Sequence, residues 1–81
     1  MNVNELKIKA LTAIGMQYDY IKILEDCEEQ KDNPTYYTAQ KNQLAGMREM
    51  FEAIFEDSYA PYTRAATHAM IVELSREVCP F

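Results

Sequence analysis

A histidine, two cysteines and a run of carboxylates are the residues of this chain from which chemistry could be built. His68 is the only histidine and lies between Thr67 and Ala69. General-base work requires a nucleophile or carboxylate positioned beside it, and no adjacent motif supplies one. Cys27 and Cys79 are far apart in sequence, so they form neither a CxxC redox element nor a zinc site. Glu25-Asp26-Cys27-Glu28-Glu29 gathers four carboxylates, but there is no Glu-x-x-His element and no EF-hand loop, so neither a metal nor a cofactor is expected. With Gly15 and Gly46 as the only glycines, phosphate-cradling loops and a G-x-S-x-G elbow are excluded. The chemistry on offer is recognition, and the chain is expected not to be an enzyme.

Two sets of residues fit recognition. Glu25, Asp26, Glu28 and Glu29 form an acidic patch suited to a basic protein surface. They also sit where a helix C-terminus favours cations, so a solvated, fraying helix end is the bland alternative. Six tyrosines and no tryptophan supply flat amphipathic rings. Tyr36 and Tyr37 open one predicted helix and Tyr59 and Tyr62 another, where they either close the ends of a bundle or anchor a protein partner. The expected function is therefore a small acidic protein-binding module: an adaptor, regulator or inhibitor of a basic partner surface. The alternative is an oligomer that sequesters a small anionic molecule such as a nucleotide, with Arg48, Arg64, Arg76 and His68 as its contacts beside the tyrosine rings.

The elements that must position these residues read as helices. Asn2 followed by Glu5 has capping-box spacing, and no proline interrupts the chain from Val3 to about Lys31, which predicts helix one over 3–31. Asp32-Asn33-Pro34 is a turn signal, with Pro34 at the first position of helix two, 34–57. Asp57-Ser58 can cap again, Pro61 suits a first turn, and helix three is predicted over 61–78, ended by Pro80. No segment alternates as a strand does. Helix one carries a main stripe of Val3, Leu6, Ala10, Ala13, Ile14, Ile21 and Leu24 and a second line of Met16, Tyr20, Ile23 and Cys27. In helix two, Tyr37, Leu44 and Phe51 interleave with Gln40, Met47 and Ile54, and Met50 and Phe55 widen that face. Helix three shows Tyr62, Ala65, Ala66, Ala69 and Val72 on one face and Met70, Ile71, Leu74 and Val78 on another.

The expected fold is all-α: one domain, a three-helix up-down-up bundle with long first and second helices, because short connections favour antiparallel neighbours. In that arrangement Lys7 and Lys9 lie beside Glu52, Glu56 and Asp57. Arg76 reaches the acidic end of helix one, and Cys27 and Cys79 share an end. Surplus apolar faces predict a homo-oligomer, a usual remedy for the small core of an 81-residue chain. A formal charge of −5 opposes duplex nucleic-acid binding. The absence of an apolar run of about 18 residues opposes membrane insertion, and MNVNELKIKA lacks the core of a signal peptide, which together predict a cytoplasmic protein with reduced thiols.

Overall fold

The computed structural model describes residues 2–56 and 58–78. It contains helices α1 (Val3–Asp26), α2 (Glu29–Asp32), α3 (Pro34–Ile54) and α4 (Arg64–Val78), and no strand among the described residues. The chain is all-α, as its periodicities require.

Local chemistry explains most boundaries. The Asn2 side chain accepts the Glu5 backbone N–H at 2.8 Å, half of the expected capping box. Pro34 occupies the first turn of α3, where its missing N–H costs nothing. The predicted first helix breaks near its end: Cys27 and Glu28 form a turn, with Glu28 at φ 59° in the left-handed region. The break ends α1 inside the carboxylate run and moves Glu29 from an unfavourable C-terminal turn to the first turn of α2, where the backbone dipole favours it.

The third long helix starts later than its sequence signals imply. Thr63, rather than Asp57 or Ser58, takes the capping role, its Oγ1 accepting the Ala66 N–H at 3.0 Å; Asp57 lies outside the described residues. Pro61 is buried in the preceding segment. Its carbonyl accepts hydrogen bonds from the Tyr18 hydroxyl and the Arg48 Nε, both at 3.0 Å, and the Ala60 N–H donates to Glu52 at 3.1 Å.

This docked segment overturns the up-down-up arrangement. Lys7 lies over the Phe55 ring, and Gln17 bonds to Gln40, so α3 runs antiparallel to α1. Asn4 donates to Glu77 at 2.9 Å and Arg64 pairs with Asp19, so α4 is antiparallel to α1 as well. Residues 55–63 therefore do not make a short turn. They carry the chain back along α1 from the level of residue 7 to that of residue 19, a climb of about 18 Å. Arg76 and the end of α4 consequently lie at the start of α1, away from the acidic run that Arg76 was expected to meet; Cys79 lies outside the described residues. Neither Lys7 nor Lys9 is within ion-pair distance of Glu52 or Glu56.

Helix α1 is the hub: α3 and α4 each pack on it, and their backbones do not approach one another. Leu11, Ile14, Phe51 and Ala60 form the buried centre, ringed by half-buried side chains that include Tyr18, Leu44, Met70 and Leu74. Leu11, outside the predicted stripe, is 0% exposed because it faces the α4 side; Ile21 and Leu24 of that stripe are buried, while Val3 and Leu6 are exposed. The second line of α1 is not buried: Met16, Tyr20, Ile23 and Cys27 are all exposed, and Tyr20 touches α3 only through its hydroxyl's bond to Tyr36. Tyr62, placed in helix three by its sequence, precedes α4 and is exposed, as is the small face of Ala65, Ala66, Ala69 and Val72 on α4; contact comes from Thr67, Met70, Ile71 and Leu74. Gly15 permits the close passage of the two helices, since a Cβ placed there would already touch the Thr67 methyl at 3.6 Å. The result is elongated, 45 × 27 × 18 Å, with a radius of gyration of 14.1 Å against about 12 Å for a compact chain of this length.

Leu11→Ala is expected to destabilise the fold by about 2–5 kcal/mol, and Ile23→Ala on the exposed side of the same helix by less than about 1 kcal/mol, as read by urea denaturation. Glu28→Gly is expected to raise stability by about 1 kcal/mol, because glycine relieves the left-handed backbone; an unchanged or lower midpoint would contradict the strained turn.

Candidate functional site

The acidic run and part of the tyrosine set meet at one end of the α1–α3 pair. The antiparallel register brings the last turns of α1 beside the first turns of α3, with α2 closing the corner. There the Tyr37 hydroxyl donates to the Glu25 carboxylate, and the Tyr20 and Tyr36 hydroxyls bond to each other. Glu25, Asp26 and Glu28 are exposed, and Glu29 is half-buried. Lys22 pairs with Asp26 at 2.7 Å and Lys31 with Glu28 at 3.6 Å, both exposed pairs of small energetic weight. Lys41 stands 5.7 Å over the Tyr37 ring.

These contacts move the titrations in one direction. The Tyr37 hydroxyl is held above the ordinary phenol range chiefly because it donates to Glu25. Tyr20 is held above it by the bond to Tyr36, then by desolvation and the nearby Glu29 carboxylate. Asp26 raises the Lys22 ammonium by accepting its hydrogen bond. Away from this cluster, where Tyr18 of α1 donates to the Pro61 carbonyl, burial raises the Tyr18 hydroxyl, and the positive charge of Arg48 opposes the shift.

The remaining sequence candidates do not join this cluster. Tyr59 and Tyr62 lie on the return segment and are exposed, the Tyr62 ring stacking under the Arg48 guanidinium at 3.7 Å. Arg48 is therefore a structural clamp. Arg64 is paired with Asp19, and Arg76 lies at the far end of α4, about 18 Å from Arg64 along the helix. The three arginines do not converge on one anion. His68 and Arg64 line a groove of about 620 Å³ between α1 and α4, floored by Gly15, Met16 and Ile71. No group of three or more metal-ligating side chains occurs among the described residues.

Tyr20 belongs to the cluster but was read from sequence only as part of an apolar line. Its signal was the sixteen-residue separation from Tyr36, which becomes a contact only once the helices are known to run antiparallel in this register. Neither a family model, nor a curated protein, nor a solved structure matches the chain. No helix in the described residues is long and apolar enough to cross a membrane.

The raised tyrosines set an alkaline limit. Each has a folded pKa above its unfolded value, so its stabilisation is complete below about pH 10 and is lost as pH rises through the folded value. The melting temperature is expected to be level from neutral pH to about pH 9 and to fall above about pH 10. Tyr37→Phe should make that fall shallower; equal pH profiles for the two proteins would rule out the Glu25 contact as a contributor.

Proposed function

We propose that this chain is a non-catalytic protein-binding module, an adaptor, regulator or inhibitor, whose acidic and tyrosine-bearing end engages a basic partner surface, and that it works as a homo-oligomer. The observation that carries the reading is the meeting of exposed carboxylates with Tyr20, Tyr36 and Tyr37 at one end of the α1–α3 pair. Between Asp19 and Asp32 six carboxylates face two lysines, a net −4 of the chain's −5, although they are fewer than half of its 13 acidic residues. Charge of one sign steers a basic partner to the site, and tyrosine rings then give apolar area with fixed hydroxyl geometry. The exposed Val3, Leu6, Met50 and Ile54 support self-association. A reducing, cytoplasmic setting fits the exposed Cys27 thiol.

A second reading is favoured by the groove between α1 and α4. Its apolar floor and the Arg64 and His68 side chains suit a small amphipathic anion, a nucleotide among them. Against this, Asp19 already takes Arg64, and Arg48 is committed to the return segment. Melting curves with a nucleotide panel separate the two readings, since only the second expects a shift.

The first reading is tested with an arginine-rich peptide as probe, titrated calorimetrically at low and high salt. The expected result is binding that weakens with salt and falls by about tenfold or more, 1.4 kcal/mol, when Glu25, Asp26, Glu28 and Glu29 are together replaced by glutamine. The variant should keep its helical circular dichroism. Absence of binding by the unaltered chain, or equal binding by both proteins, would overturn the acidic-end reading.

A further inference from the structure

The polar groups along the α1–α4 groove differ in what they have left to offer a ligand. Thr12 and Thr67 both line it. The Thr12 hydroxyl donates to the Ile8 carbonyl at 2.7 Å and the Thr67 hydroxyl to the Thr63 carbonyl at 2.9 Å, so neither proton is free. The Thr67 methyl is the part of that side chain nearest Gly15. With Met16, Ala65 and Ile71 beside them, the groove is mostly apolar and its form is set by two packed helices, a rigid support for a site.

One end is different. The Arg64 Nε donates to Asp19 Oδ1, and among the described residues this is the one side-chain hydrogen bond that either residue makes. A guanidinium has five N–H donors and a carboxylate two oxygens. Four donors on the Nη edge of Arg64 and the Oδ2 of Asp19 are therefore open, and they are neighbours because the pair is bonded. Both side chains are more than half exposed, so a ligand can reach them. These two residues carry the formal charges along the groove, and the charges cancel. Lys22, near enough to feel the Arg64 charge, is taken by Asp26 at 2.7 Å.

Charge balance selects the ligand. A pure anion would have to draw Arg64 from Asp19 and would then face that carboxylate, and a pure cation meets the converse. A molecule carrying both charges one carbon apart leaves the ion pair whole. We propose that the groove binds an α-amino acid with a large apolar side chain. Its carboxylate lies on the free Nη edge of Arg64, where bidentate pairing is favoured, and its ammonium donates to Asp19 Oδ2. Arg64 also opens α4, whose dipole favours a carboxylate there. The ligand's side chain lies along Met16, Ala65 and Ile71. A volume of about 620 Å³ falls within the range of about 300–1,000 Å³ usual for small-molecule sites. A quaternary ammonium has no N–H for Asp19 and does not meet the same requirement.

This inference rests on the groove reading above, changes the charge of its ligand, and does not involve the acidic end. The test is an amide NMR titration of the isotope-labelled chain with L-phenylalanine, with phenylpropionate, which lacks the ammonium, and with phenethylamine, which lacks the carboxylate. The expected result is saturable shifts centred on Gly15, Ala65 and His68 with phenylalanine, and binding weaker by about tenfold or more for each analogue. Asp19→Asn should weaken phenylalanine to a similar degree and strengthen phenylpropionate, because Arg64 is then released to it. Ala65→Trp should block the groove without touching either charge. Both substitutions fall on exposed side chains, so helical circular dichroism is expected to persist. Phenylpropionate bound as tightly as phenylalanine overturns the proposal and leaves the anion reading of the groove standing. Shifts remote from the groove, or binding that Ala65→Trp does not reduce, overturn the site. No saturable shift with any of the three also overturns the proposal, and the nucleotide panel then decides the groove reading by itself.

Discussion

The carbonyl of Pro61 holds the fold's direction. Tyr18 from α1 and Arg48 from α3 both donate to it, Ala60 beside it is fully buried, and the Ala60 N–H is satisfied by Glu52. A buried backbone segment must find such partners or forfeit the cost of desolvating its polar groups. With the segment pinned in this way, the chain leaves it at the level of Asp19, and α4 runs down α1 in the same direction as α3. The ion pair to Asp19, the passage over Gly15 and the Asn4–Glu77 bond follow from that one placement.

A central helix with two neighbours that do not approach each other is an economical way to build a small core, and it leaves much apolar surface uncovered. The centre of Leu11, Ile14, Phe51 and Ala60 is small. Chains of this length gain little margin from burial alone. Met50, Ile54 and Leu6 are among the side chains left exposed, and the space above Gly46 is open.

Charge is distributed unevenly. The carboxylates crowd the end where α1 breaks, and α3 keeps its four charges to one side. The left-handed Glu28 is the strained element of the acidic end. It turns the chain from α1 into α3 and sets Tyr36 and Tyr37 against Tyr20 and Glu25.

What the sequence by itself determined is local. The helical class, the Asn2 cap, Pro34 at the start of α3, and the burial of Ile14, Ile21, Leu24 and Phe51 are consequences of propensity, capping and periodicity within a few turns. Tertiary structure decided the rest. Leu11 is buried because α4 lies where it does, and Tyr20 reaches Tyr36 because the register aligns them. Pro61, a helix-starting signal by local rules, became instead the buried acceptor that orients α4. The physical reason is the same in each case: a carbonyl's partners, a helix's direction and the far side of an amphipathic stripe depend on contacts between residues tens of positions apart, and no local pattern encodes which of those contacts forms first or fits best.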